Sequence, residues 1–222
     1  MNLGEQKELF LQQRKQKLHK SMLRRLAKRP DDIIGTGHGG HYLGTTWCLR
    51  AKRGLCFLIN KNTYLDSHHY HVLTQLLTEA RKMWKLHPIF SPVKTLYDPN
   101  RPYLIREEIT WRTLDSGDMF DSVFTRSIGT ILIQQLKWID IHPSRVTQPE
   151  NLHATYDIRC ENFIVENIDT RWLCEALLEI EEKDNQHTLL LDLLDNLYTA
   201  WWIIWIFDYG TWLRPNRKWE YQ

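Results

Sequence analysis

Asp157-Ile158-Arg159-Cys160-Glu161-Asn162-Phe163-Ile164-Val165 sets a carboxylate five residues before an amide, with an apolar, β-branched run directly after it. Those residue types at that spacing suit the transfer of a phosphoryl group to a hydroxyl. The carboxylate can orient the hydroxyl and accept its proton, and the amide oxygen can hold a magnesium ion. A strand behind the pair fixes both on a rigid edge. Asp157 is therefore the candidate base and Asn162 the candidate metal ligand.

A second run with chemical content is Ile33-Ile34-Gly35-Thr36-Gly37-His38-Gly39-Gly40-His41-Tyr42. Gly35, Gly37 and Gly40 fit G-x-G-x-x-G, and the missing Cβ atoms let backbone amides approach phosphate oxygens. A dinucleotide-binding βαβ unit needs a helix directly afterwards. Here residues 42–51 read as a strand, Lys52-Arg53-Gly54 as a turn, and Leu55 to Asn60 as a third strand. That order favours a hairpin lid over a nucleotide. Lys61 closes the third strand, where it can pair with α- and β-phosphates if a carboxylate on the next helix holds it. That helix is expected from Tyr70 to Leu86, with Val72, Leu76 and Leu77 on one face and Glu79 on another. Lys61 and Glu79 are the candidate ion pair.

The elements that must position these groups follow from periodicity and turn chemistry. His87-Pro88 stops the helix. Residues 93–97 and 103–109 alternate as an antiparallel pair around Asp98-Pro99-Asn100-Arg101-Pro102. Ser116-Gly117-Asp118-Met119-Phe120 is a turn entering a helix, residues 127–139 form a core helix, and 140–156 a loop containing Pro143 and Pro149.

The ordered set of glycine-rich hairpin, strand ending in lysine, helix with glutamate, two strands, helices and D-x-x-x-x-N loop resembles the protein-kinase superfamily over residues 33–165. It resembles the superfamily's small, divergent members, of the compact bacterial, phage or effector type or similar to the lipopolysaccharide-core sugar kinases. The resemblance implies an α+β, two-lobed minimal kinase-like fold. Residues 1–30 would be a basic helical extension, 31–112 an antiparallel-sheet N-lobe, and 113–222 a reduced helical C-lobe. It also implies ATP and Mg2+, and a protein or sugar hydroxyl as acceptor. Residues 103–108 look like the approach to a hinge that binds adenine through backbone groups, with Glu107 among them.

The second metal ligand of that family follows the loop in a D-F-G element. Ile206-Phe207-Asp208-Tyr209-Gly210 has that chemistry but arrives late, with twelve residues after Gly210. Leu189-Leu190-Leu191-Asp192 lies nearer, so Asp208 and Asp192 both stand as candidates, with an acidic helix inserted at 170–187. Thr155-Tyr156 replaces the family's His-Arg, and Cys160 stands at its Pro position. The same departures fit a pseudokinase-like interaction module that binds a partner through the basic N-terminal helix and the Trp-rich C-terminus.

Composition bounds these readings. The chain has 222 residues, 42% of them hydrophobic and 25% charged, which fits a globular protein with one full domain or two small lobes. Residues 1–29 read as one helix ending at Pro30, with Leu11, Leu18, Met22 and Leu26 as its apolar stripe. Nine Lys/Arg against two Glu give it +7, so the remainder carries −5. An acidic partner, an anionic membrane surface or nucleic acid would suit that helix. Arg14 and His19 form R-x-x-x-x-H, a spacing also found in some ribonucleases. No apolar signal core occurs in residues 1–30, and the most apolar segment, 197–207, is too short to span a bilayer. Cys48, Cys56, Cys160 and Cys174 contain no C-x-x-C, which points to a reducing, cytoplasmic setting, or to a host cytoplasm for an effector. His38, His41, His68, His69 and His71 would suit a metal site, without H-E-x-x-H spacing.

Overall fold

Asn2 opens the first helix, α1 (Leu3–Lys28). Its side chain accepts from the Glu5 backbone N–H, and the Glu5 carboxylate accepts from the Asn2 backbone N–H. The pair satisfies donors that no helical carbonyl can reach. The helix ends where Arg29 turns to φ −138°, away from the helical region as the following proline requires. The computed structural model describes residues 2–38, 45–50, 54–62, 67–108, 118–139, 158, 162–165 and 169–206. In chain order α1 is followed by β1 (Ile33–His38), β2 (Thr45–Arg50), β3 (Leu55–Asn60), α2 (Ser67–Lys82), β4 (Phe90–Pro92), β5 (Thr95–Leu96) and β6 (Leu104–Glu107). Then come α3 (Asp118–Phe124), a π turn (Thr125–Gly129), α4 (Thr130–Trp138), β7 (Phe163–Val165), α5 (Thr170–Glu181), α6 (Gln186–Thr199) and β8 (Ile204–Ile206). The fold is α+β, with two compact units.

The first unit is Met1–Val72 with Lys94–Ile109. Its sheet has the order β1-β2-β3-β6-β5, and every pairing is antiparallel. Strand alternation gives the sheet one apolar face. Trp47 and Leu49 of β2, Phe57 and Ile59 of β3 and Ile105 of β6 all pack with Leu26, Met22 and Leu23 of α1. Tyr103 joins them, its ring 5.2 Å from Phe57. The basic helix is thus part of this unit's core rather than a separate extension. Burying each such large side chain is worth about 1.5–3 kcal/mol.

The second unit is Leu73–Val93 with Thr110–Gln222, so the division falls within α2. Its small sheet has the order β4-β8-β7, with β4 parallel and β7 antiparallel to β8. Phe90, Phe124, Ile128, Phe163, Leu177 and Leu194 are among its buried side chains. The segment 186–199, which carries the alternative metal ligand Asp192, is a helix. Leu190, Leu194 and Leu197 are buried at helical spacing, and Asp192 sits exposed on α6 rather than at the end of a strand. A short apolar run such as Leu189-Leu190-Leu191 fits either period, and the longer i, i+4, i+7 pattern decides it.

Candidate functional site

The second unit positions the loop that carries Asp157 and Asn162. Asp157 lies outside the described residues, but its neighbour Ile158 is buried and its carbonyl accepts from Thr125 Oγ1 at 3.1 Å. On the next helical turn Gly129 comes so close that a Cβ built there would stand 2.8 Å from Ile158 Cγ2. The π turn and the glycine therefore hold the residue after the candidate base against a rigid helix. Neither Thr125 nor Gly129 was singled out from the sequence. The available signal was an isolated glycine inside an otherwise apolar helical run.

Asn162 is 6% exposed and immediately precedes β7. Phe163 of β7 pairs with Ile206 of β8, although α5 and α6 intervene between the two strands in the chain. In the chain α5 and α6 lie between β7 and β8, which ends at Ile206, two residues before Asp208. Asp208 itself lies outside the described residues. Arg126 on the π turn reaches Glu181 at the end of α5 with paired hydrogen bonds of 3.1 and 3.0 Å, and tethers the insertion to the helix that supports Ile158. Glu79 belongs to this unit and is exposed on α2, opposite the buried Leu73, Leu77 and Ala80.

In the first unit Gly35 and Gly37 lie on β1, opposite Cys48 and Thr46 of β2, with a register shift between Ile33 and Gly35. Gly40 lies outside the described residues. Thr46 in turn faces Asn60 of β3, so Gly37, Thr46 and Asn60 form one rung across three strands. Asn60 Nδ2 donates to Thr46 Oγ1 at 3.1 Å, and Asn60 Oδ1 accepts from the Asn62 N–H at 2.9 Å. The strand ends there. Lys61 is one residue out of phase with that rung and exposed. Sequence spacing put the cation at the strand end but could not show which neighbour shares the glycine rung.

Glu107, at the end of β6, donates its backbone N–H to the Lys94 carbonyl at 2.9 Å. The Cys56 thiol donates to the Glu107 carbonyl at 3.8 Å. Among the described residues its buried Oε2 finds no hydrogen-bond partner. The hydrogen bond from Cys48 and the Arg106 guanidinium bring the Cys56 thiol down to about 6, while the same bond and burial push Cys48 up.

His19 Nε2–H donates to the Asn60 carbonyl at 2.7 Å and ties α1 to the end of β3. The Arg14–His19 spacing thus has a structural use for its histidine. His71 Nδ1–H donates to the Thr95 carbonyl at 3.1 Å, and its ring stacks on Tyr97. His38 lies on β1, His68 and His69 lie on α2, and His41 lies outside the described residues. Among the described residues no group of three or more His, Cys, Asp or Glu could hold a metal ion, and no helix is long and apolar enough to cross a membrane. No protein-family model matches the chain, and neither a curated protein nor a solved structure matches it.

Proposed function

We propose that this chain is an ATP- and magnesium-dependent phosphotransferase of minimal, two-lobed kinase-like build that moves the γ-phosphate to a hydroxyl on a protein or a sugar. The observation that carries the reading is the direct pairing of Phe163 with Ile206. Asn162 stands one residue before Phe163, and Asp208 stands two residues after Ile206 in the chain. At about 3.3–3.6 Å per extended residue, that tether keeps Asp208 within roughly 7 Å of Ile206. An amide oxygen and a carboxylate so tethered suit a hard cation such as Mg2+. Asp192, exposed on α6, has no comparable tether, so Asp208 takes the role.

Bound by Asn162 and Asp208, magnesium would neutralise charge on the β- and γ-phosphate oxygens. Asp157 orients the acceptor hydroxyl and takes its proton as the acceptor oxygen bonds to the γ-phosphorus and the bridging bond to ADP breaks. Thr125 and Gly129 act beneath it by holding Ile158. The backbone amides of Gly35, Gly37 and Gly40 cover the phosphates, and Lys61 meets the α- and β-phosphates with Glu79 orienting it. The Glu107 backbone carbonyl is the acceptor offered to adenine. Positioning and charge neutralisation account for most of such catalysis, so few side chains must be right.

One observation favours a second reading, a pseudokinase-like module that binds a partner without transferring phosphate. Asn60, with its amide already bonded, occupies the rung shared with Gly37, and the cation falls one residue later. In that reading the basic α1 and the Trp-rich C-terminus contact the partner.

Thermal unfolding with and without Mg-ATP, followed by transfer of labelled γ-phosphate, separates the two. The phosphotransferase reading expects stabilisation by Mg-ATP that Lys61→Ala weakens on the order of tenfold in affinity, and transfer that Asp157→Ala abolishes. Stabilisation without transfer would favour the module. No stabilisation of the wild type would end the nucleotide reading altogether.

A further inference from the structure

Only one face of α1 is used within its own unit. Leu26 and His19 pack inward, with Met22 and Leu23 half-buried beside them. Helix positions turn by about 100° per residue, so Leu3, Phe10, Arg14, Lys17, Arg24 and Lys28, spaced in multiples of three- and four-residue steps, lie along the opposite side. All six are exposed, with Leu3 83% and Phe10 64% accessible. No Asp or Glu occurs between Glu8 and Asp31, so nothing on the helix neutralises these cations beyond its first turns. At the C-terminal end Ser21, Arg24, Arg25, Lys28 and Arg29 line a shallow depression of about 410 Å3.

The second unit carries a face of opposite sign and similar layout. Residues 169–199 hold eight Asp/Glu against two Lys/Arg, a net −6 to set beside +7 for residues 1–29. On α5 and its C-cap, Trp172, Glu175, Glu179 and Glu182 recur at three- and four-residue steps and are exposed, while Leu173 and Leu177 are buried on the other side. Trp172 is 45% exposed, its ring centroid 5.8 Å from that of Trp202 with the two rings nearly perpendicular. Glu175 is bonded to Arg171 of the same helix at 3.1 Å, an exposed i, i+4 pair of the kind that contributes little. Each stripe therefore places an aromatic residue ahead of a run of charges, cationic on α1 and anionic on α5.

We propose that the outward stripe of α1 docks along the Trp172–Glu182 stripe of a second copy of this chain. Charge complementarity selects this occupant. Two α1 helices would repel one another, and the apolar residues of the α1 stripe, Leu3 and Phe10, sit at one end and leave most of the cationic run with nothing to insert into a bilayer. Each copy carries one stripe of each sign, so two copies can meet through opposite charges. The proposal is independent of the nucleotide reading.

Sedimentation velocity of the full chain tests it, at low salt and at about 0.5 M salt, where surface charges are screened. The expected result is a dimer at low salt whose dissociation constant rises on the order of tenfold or more at high salt. Arg14→Glu with Lys17→Glu and Arg24→Glu should give a monomer, as should Glu175→Lys with Glu179→Lys and Glu182→Lys. An equimolar mixture of the two variants should restore the dimer, because each reversed stripe then meets a reversed partner. Circular dichroism checks that both variants fold, and Lys17→Glu and Glu179→Lys alone serve if a triple variant does not. A wild type that stays monomeric, association indifferent to either reversal, or a mixture that remains monomeric would overturn the proposal. So would a monomer that binds anionic vesicles through α1.

Discussion

In the second unit, segments far apart in the chain converge. Phe163 and Ile206 pair directly although α5 and α6 separate them in the chain. In the first unit, neighbours in the chain diverge. Asn60 and Lys61 are adjacent, yet Asn60 joins the rung of Gly37 and Thr46 while Lys61 falls beyond the strand. The two arrangements show that order along a sequence sets which groups are available, while strand pairing and phase decide which of them act together. In the proposed chemistry the metal ligands depend on the first arrangement and the phosphate contacts on the second.

The comparison can be broken by disturbing each pairing in turn. Phe163→Ala removes a fully buried ring that lies 5.3 Å from Phe124, and should cost about 3–5 kcal/mol. Hydrogen exchange should rise in β7 and β8 while β2 and β3 stay protected, and a loss spread evenly over both sheets would mean that the units do not unfold separately. Gly129→Ala gains about 1 kcal/mol of helix propensity but drives a Cβ into Ile158 Cγ2. Ile158 is β-branched and buried, so overpacking of roughly 1–3 kcal/mol should outweigh the gain. Urea unfolding reads the net sign, and phosphotransfer should fall with it because the residue beside Asp157 moves.

Asn60→Ala leaves its partners on the glycine rung unsatisfied and should cost about 1–3 kcal/mol by denaturant titration. Lys61→Ala should stay within about 0.5 kcal/mol of the wild type, as an exposed position predicts. Equal costs at the two positions would remove the distinction drawn between them.

The smallest expected effect is a pH dependence in the second unit. The Ile89 N–H donates to His87 Nδ1 at 3.2 Å, so the ring proton sits on Nε2 and is donated to Asp195 Oδ1 at 3.1 Å. Burial holds His87 below its usual 6.5, with Asp195 opposing the shift. The unfolded chain therefore takes up the proton first. This stabilisation is complete above about pH 6.5 and declines as pH falls toward the folded value. His87→Asn should flatten that part of the melting temperature's pH profile, and an unchanged profile would show that His87 does not titrate with unfolding.

Much of the fold was legible where a pattern is local. The basic helix that ends before Pro30, the third strand, the antiparallel pair near residue 100 and the helix after 127 all follow from periodicity and turn residues. What was not legible depended on distant parts of the chain. The apolar stripe of α1 could not name the sheet that buries it, and Leu189-Leu190-Leu191 could not show that Leu194 and Leu197 extend it into a helix. Asn162 and Glu107 were singled out by motif position alone. Asn60, Thr125 and Gly129 matter through partners that only folding supplies.

The most direct test of the central claim is calorimetric titration of Mg-ATP into the wild type, Asp208→Ala and Asp192→Ala. The pairing of β7 with β8 predicts that Asp208→Ala removes the magnesium-dependent part of binding, while Asp192→Ala binds as the wild type does. Loss of that binding in Asp192→Ala with Asp208→Ala unaffected would contradict the assignment.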